Sequence, residues 1–236
     1  MRLYDVATAS HAYSAFGGKF DDSFQALIAK IGCALDLESD ECGAALLKWL
    51  NAWGCRQFSK DYHQDALQRL RDWAHQHIKE LPSEDTKVME LVDSDIQRVT
   101  RAYDALREVQ ASQRSRQDRR FSVSVGATGA AKILFALRPT SLPPWDDAIR
   151  ARFDYDGSAV SYGQFIRQVS AQIQELISDA AQYEITPEQL PLRVGRNAST
   201  LPKIIDEYYW VTITKGFRVP TATELKTWSD WCARRT

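Results

Sequence analysis

Most of the features that would classify this chain at once are missing from it. No run approaches the roughly 18 uninterrupted apolar residues of a membrane span. The opening "MRLYDVATASHAYSAF" lacks the basic start and apolar centre of a secretory signal, so the expected compartment is the cytoplasm. Of 236 residues only four are cysteine (Cys33, Cys42, Cys55, Cys232) and four histidine (His11, His63, His75, His77). The cysteines form no C-x-x-C, and His75 and His77 on one helix face different ways. Neither a disulfide framework nor a structural zinc or iron–sulfur centre is suggested. There is no Ser-His-Asp order, no Walker glycine loop, no H-E-x-x-H, no internal repeat and no low-complexity tract. The sequence implies no metal and no cofactor.

Charge of one sign is also lacking. A formal net charge of −1 argues against a protein that coats polyanions wholesale. It leaves room for a basic face: "REVQASQRSRQDRRF" sets Arg107, Arg114, Arg116, Arg119 and Arg120 against Glu108 and Asp118. Such a run is either phosphate-binding surface or a solvated linker or helix end.

What is present is helical periodicity. "DDSFQALIAKIGCAL", "ALLKWLNAWG" and "YHQDALQRLRDWAHQHIKEL" carry apolar residues at three- and four-residue steps, the last until Pro82. "DIQRVTRAYDALREV" repeats this through Ile96, Val99, Tyr103 and Leu106. Polarity then rises around residues 111–120, the best candidate boundary between an N-terminal bundle (1–110) and a second helical region (111–236), with helices free to be shared between lobes. Beyond it, "AAKILFAL" reads as a short buried helix ended by Pro139. "VSYGQFIRQVSAQIQELI" puts Tyr162, Phe165, Ile166, Val169, Ile173 and Leu176 on one face. Capping boxes are expected at Thr186 to Gln189 and Thr221 to Glu224. The spacing of Leu201, Ile204, Ile205 and Tyr208 favours a helix in "STLPKIIDEYYWVTI". The expected class is all-α, as one compact domain or two lobes sharing a cleft.

The stretch that can carry chemistry is "VGATGAAKILFALRPTSLPPWDD". A glycine turn leads an apolar helix whose first backbone N–H groups suit a phosphate. Twenty residues after Gly126, Asp146 opens "DDAIRARF". An aspartate there caps the free N–H groups and, beside the positive end of the helix dipole, suits an electrostatic stabiliser better than a proton donor. Asp146 and Asp147 are thus either plain helix caps or a carboxylate site.

Here the sequence resembles the helix-hairpin-helix DNA glycosylases, over about residues 121 to 153. In that family a hairpin ending in Val-Gly grips the DNA backbone, and an aspartate about twenty residues later opens the catalytic helix. Val125-Gly126 is similar to that turn, Asp146 falls at the aspartate, Asp147 is one residue late, and Ile149 matches the apolar position that follows. The family's Leu-Pro-Gly before the turn is replaced by "SVSV". Its lyase lysine is replaced by Thr128, with Lys132 a helical turn further on. The resemblance therefore implies a two-lobed helical fold and a glycosylase without lyase activity. It also implies a likeness to bacterial specialists, including antiphage glycosylases that attack modified phage bases such as decorated cytosines.

The chemistry asked of Asp146 is simple. Breaking an N-glycosidic bond builds positive charge on the sugar, and a fixed carboxylate lowers that barrier. At ~4 Å and an effective dielectric near 20 the attraction is roughly 4 kcal/mol, about three decades of rate. A flipped base also needs an aromatic or apolar pocket. Candidates are Trp145, Trp49 and Trp53, and the run Asp206, Glu207, Tyr208, Tyr209 and Trp210, each of them core packing on the alternative reading. Candidate DNA contacts are Val125, Gly126, Thr128, Lys132, Arg119, Arg120, and, in "LPLRVGRNASTLPK", Arg193, Arg196 and Lys203. The expected partner is double-stranded DNA with a flipped modified nucleotide, met by a monomer. The competing readings are a helical DNA-binding or protein-interaction module, and a Mg²⁺-dependent nuclease using Asp146, Asp147, Asp206 and Glu207.

Overall fold

The computed structural model describes residues 1–32, 35–116 and 119–234; Cys33 and Asp118 lie outside the described residues. The apolar stripes become buried helix faces. The chain opens with α1 (Leu3–Phe16), α2 (Gly18–Ile31), α3 (Asp40–Ala52) and α4 (His63–His77). Helix α5 (Asp93–Glu108) buries Ile96, Val99, Tyr103 and Leu106, the set that a 3.6-residue period places together. Helix α6 (Gly126–Leu137) is buried on every side from Gly129 onward, Lys132 included, as its otherwise apolar sequence demands. Around it Phe24, Trp49, Trp53 and Phe135 pack with ring centroids 4.6 to 6.4 Å apart.

The second half continues with α7 (Asp147–Arg152), α8 (Ala159–Ala181), the single turn α9 (Leu190–Arg193), α10 (Leu201–Tyr209) and α11 (Ala222–Ala233). Helix α8 buries all six residues of its apolar stripe and is capped by Ser158, which accepts from the Ser161 N–H. Helix α10 runs into a π-helical turn (Trp210–Thr214). Thr221 and Glu224 form the capping box expected at α11. At Thr186 the Gln189 side chain accepts from the Thr186 N–H (3.1 Å), but only a turn follows before α9.

Among the described residues the one sheet is an antiparallel hairpin, β1 (Gln110–Arg116) and β2 (Arg119–Ser124), within the polar stretch. Strand β2 shows no apolar face, since Arg119, Arg120 and Phe121 are all exposed, and β1 buries the consecutive Ala111 and Ser112 at its start. Period-2 patterning, the usual strand signal, is therefore absent. Ser122, Val123 and Ser124 end β2. The hairpin is an excursion between α5 and α6, closed at its neck where the Val125 N–H donates to the Val109 carbonyl (2.8 Å). Ser112 Oγ donates to the Gln57 carbonyl (2.6 Å), and Gln57 Nε2 donates to the Val125 carbonyl (2.7 Å).

One contiguous set of buried side chains runs from Val6 to Tyr209, drawing on residues both before and after the polar stretch. Among the described residues, no helix is long and apolar enough to cross a membrane.

Candidate functional site

The Pro-Pro-Trp corner fixes where α7 begins. Tyr162 Oη donates to the Pro143 carbonyl (3.2 Å), and Trp145 Nε1 donates to the Ala127 carbonyl in the first turn of α6 (3.1 Å). The Trp145 ring is fully buried among Tyr103, Tyr162 and Phe165. Trp145 is thus a brace beneath the site and not a wall of a base pocket. It holds the start of α6 against the start of α7, which sets Gly126 and Asp146 side by side.

Asp146 is the N-cap of α7. Its Oδ1 accepts from the Ile149 N–H (2.8 Å), and its Oδ2 accepts from Thr214 Oγ1 (3.0 Å). Capping and exposure to a cleft therefore coexist in one side chain. Asp147 turns elsewhere: its Oδ1 accepts from Thr128 Oγ1 (2.8 Å) and from Arg150 Nη2 (2.5 Å), while Arg150 Nη1 donates to Thr128 Oγ1 (2.9 Å). The Asp147 charge is matched by Arg150, whereas Asp146 makes no ion pair among the described residues. The two neighbouring carboxylates are thus inequivalent, and Asp146 is the one free to answer a new positive charge.

Both border a cleft of about 640 Å³. Val125, Gly126, Thr128 and Lys132 form one side, Trp53, Gly54 and Gln57 another. Tyr13, Phe20, Asp206, Trp210 and Thr214 complete it. Gly126 has φ +68°, the left-handed region that glycine reaches without strain. Trp210 stands edge-on to Tyr13 and Phe20, with centroids 5.3 and 5.7 Å away. Lys132 is largely buried; its Nζ donates to the Trp53 carbonyl (2.6 Å), so it ties α6 to the end of α3 while edging the cleft.

Beneath the cleft lies an ion ladder that accounts for the residues sequence reasoning placed at a phosphate-binding loop. Arg196 is buried and forks onto two carboxylates, Asp21 (2.9 and 2.7 Å) and Glu207 (2.8 and 2.7 Å). Lys203, also buried, lies 3.2 Å from Glu207 and 3.1 Å from Asp206, with its ammonium over the rings of Tyr13 (4.7 Å) and Trp53 (4.9 Å). Arg196 and Lys203 therefore do not reach phosphate, because Asp21, Glu207 and Asp206 already take their donors. Burial alone would pull both cations down, yet these carboxylates hold them above their ordinary values. Burial also pushes the Tyr13 phenol up to about 12. At the cleft end of the ladder, burial raises the Asp206 carboxyl, Lys203 opposes the rise, and Asp146 adds to it.

The remaining candidates separate. Trp49 and Glu207 are buried and do not line this cleft. Tyr209 is also buried, its hydroxyl bonded to Gln168 and Gln172, and Tyr208 is half-buried. Trp53 and Trp210 do reach the cleft. Arg119, Arg120 and Arg193 are exposed. His75 and His77 pair separately with Glu38 and Glu80 (each 2.9 Å), and among the described residues no group of three His, Cys, Asp or Glu side chains is placed to hold a metal ion. Sequence reasoning missed Tyr13, Phe20, Gln57, Arg150 and Thr214. Only Arg150 left a local signal, its i+3 spacing from Asp147.

No known protein family, curated protein or solved structure matches the chain.

Proposed function

We propose that this protein is a monofunctional DNA N-glycosylase that hydrolyses the bond between a modified base and its deoxyribose, leaving an abasic site. The observation that carries the reading is Asp146. Its carboxylate is held at both oxygens, carries no matching cation, and edges an aromatic cleft that also receives the glycine-led start of α6. A fixed anion needs no reorganisation as the sugar turns cationic, which is how preorganised charge lowers a barrier. The cleft's volume lies within the roughly 300–1,000 Å³ of small-molecule sites. Trp53 and Trp210 border the cleft with aromatic surface where an unstacked base would lie, and the free N–H groups at the start of α6 suit the flanking phosphate. Thr128, at the position of the family's lyase lysine, serves Asp147 and Arg150 and offers no amine.

On this reading the helical halves act as the two lobes of a glycosylase, with double-stranded DNA laid across the cleft by a monomer in the cytoplasm. The resemblance to antiphage members makes modified phage cytosine the first substrate class to try. The divergence of Asp146 and Asp147 favours base excision over a nuclease, which would need them to converge on a cation.

The test is mass spectrometry of bases released from unmodified and phage-modified DNAs by wild type and Asp146→Asn. Wild type should release a base without Mg²⁺, and the variant should be slower by about three decades. Equal DNA binding by both with no base released would leave a binding module, and Mg²⁺-dependent strand cleavage would leave a nuclease.

A further inference from the structure

The ion ladder beneath the cleft ends unevenly. Asp21 and Glu207 are each gripped by two bonds from Arg196. Asp206, at the cleft end, has Lys203 on Oδ2 (3.1 Å), and its Oδ1 accepts no hydrogen bond among the described residues. Lys203 is shared, lying as close to Glu207 (3.2 Å) as to Asp206. The charged groups that bear most on Asp206 are Lys203 on its own helix, Asp146 at the start of α7 and Lys132 on α6; Glu207, on the same helix, shares Lys203, and the Tyr13 ring of α1 packs on that ammonium. Among the described residues, the cations paired with or bearing on Asp21, Glu207, Asp206 and Asp146 are Arg196, Lys203 and Lys132, and the Lys132 ammonium donates to the Trp53 carbonyl. One negative charge is in surplus, and Asp206 is the carboxylate least held.

We infer that Asp206 is a second catalytic residue, the acid that protonates the departing base while Asp146 supports the sugar cation. This inference rests on the glycosylase reading. The C1′–N bond breaks with its electron pair going to the base, and the base takes the Asp206 proton. Water adds its oxygen to C1′ and loses its proton to the Asp146 carboxylate, from which it passes to solvent. Asp206 regains a proton from solvent, so the sum is base and abasic sugar from nucleotide and water. Burial and the neighbouring Asp146 both favour the neutral acid that such a donor needs. The pairing follows a general rule of glycosyl transfer, in which one carboxylate is kept neutral and the other anionic by their different surroundings.

The experiment is single-turnover base release from about pH 5 to 9, using wild type and Asp206→Asn. The duplexes carry uracil, hypoxanthine or glucosylated 5-hydroxymethylcytosine, or 7-methylguanine, whose cationic base leaves without a donated proton. On neutral bases wild type should slow as pH rises; Asp206→Asn should lose that limb and fall by roughly 10²–10⁴-fold. On 7-methylguanine, where it is a substrate, the variant should stay within about tenfold of wild type. A ¹³C titration of aspartate carboxyls in wild type and Asp146→Asn needs no altered Asp206. The Asp206 signal should titrate above the ordinary aspartate range and move down when Asp146 is neutralised. An Asp206→Asn variant with the wild-type rate and pH limb, or an Asp206 that titrates in the ordinary range, overturns the acid and leaves the glycosylase standing. A wild type that releases no base from any duplex overturns both.

Discussion

Thr214 Oγ1 donates a 3.0 Å hydrogen bond to Asp146 Oδ2 across 68 residues of sequence. The bond fixes the carboxylate plane, because Oδ1 is already committed to the Ile149 N–H. Thr214 reaches it from the π-helical turn that follows α10, a turn type frequent at functional sites. Replacing Thr214 by Val should keep the fold, since the side chain is exposed. It should slow single-turnover base release by roughly 10- to 100-fold, the value of a hydrogen bond to a charged group. DNA affinity should not change. A Thr214→Val protein as fast as wild type would show that Asp146 is aimed without it.

Gly126 offers a cleaner backbone test. A methyl group there would meet nothing within 4 Å, so its φ of +68° is the whole penalty. Gly126→Ala should therefore lower unfolding free energy by about 1–2 kcal/mol, and Gly126→Asn by less, as measured by urea denaturation. Equal losses for both would point to packing instead of backbone strain.

The helices were legible because burial leaves a period. The stripes of α5 and α8 name their buried faces residue by residue, and α10 keeps its helical spacing to Tyr209 before the β-branched residues 211–214 continue it as the π-helical turn. The hairpin was not legible, since β2 is exposed along most of its length and β1 buries two consecutive residues, Ala111 and Ser112, so neither strand carries an alternation to read. The site was legible where it is local: Gly126 and Asp146 sit on one stretch of chain, and their separation is set by the α6 length and the Pro-Pro-Trp corner. Tyr13, Phe20, Gln57 and Thr214 reach the same cleft from distant segments, which no spacing rule encodes. Arg196 and Lys203 show the converse limit. A basic loop and a buried ion ladder look identical until Asp21 and Glu207 are placed beside them.

That ladder predicts an asymmetry. Arg196→Met leaves Asp21 unpaired and Glu207 with Lys203 alone, so it should cost about 3–5 kcal/mol in chemical denaturation. The triple replacement Asp21→Asn, Arg196→Met, Glu207→Gln should recover part of that loss, because it removes both carboxylates together with the cation that held them and leaves Lys203 to Asp206. A triple variant no more stable than the single one would mean that Arg196 contributes by shape.

The exposed hairpin arginines should act on DNA and not on stability. Replacing Arg119 and Arg120 by Ala should leave the melting transition in place and weaken DNA binding alike across sequences. If each contacts one phosphate, the slope of log K against log salt should become shallower by roughly 2. Fluorescence anisotropy over a salt series reads this directly. An unaltered slope would take the hairpin off the DNA path.

Asp156 gives the pH dependence of the turn into α8. Its carboxylate accepts from Ser161 Oγ (2.6 Å) and from the Ser158 N–H (2.8 Å), and these bonds, that of Ser161 foremost, pull it down to about 2. A carboxyl whose folded value lies below its unfolded one of about 3.9 binds protons more weakly when folded. Its contribution is therefore fully present above pH ~4, declines as pH falls toward 2 and is gone below that. Wild type should exceed Asp156→Asn in urea midpoint at pH 6, with the gap narrowing through pH 3 and closing near pH 2. Ser161→Ala should show a smaller gap of the same shape. A gap independent of pH would assign the effect to the geometry of the turn and not to the charge.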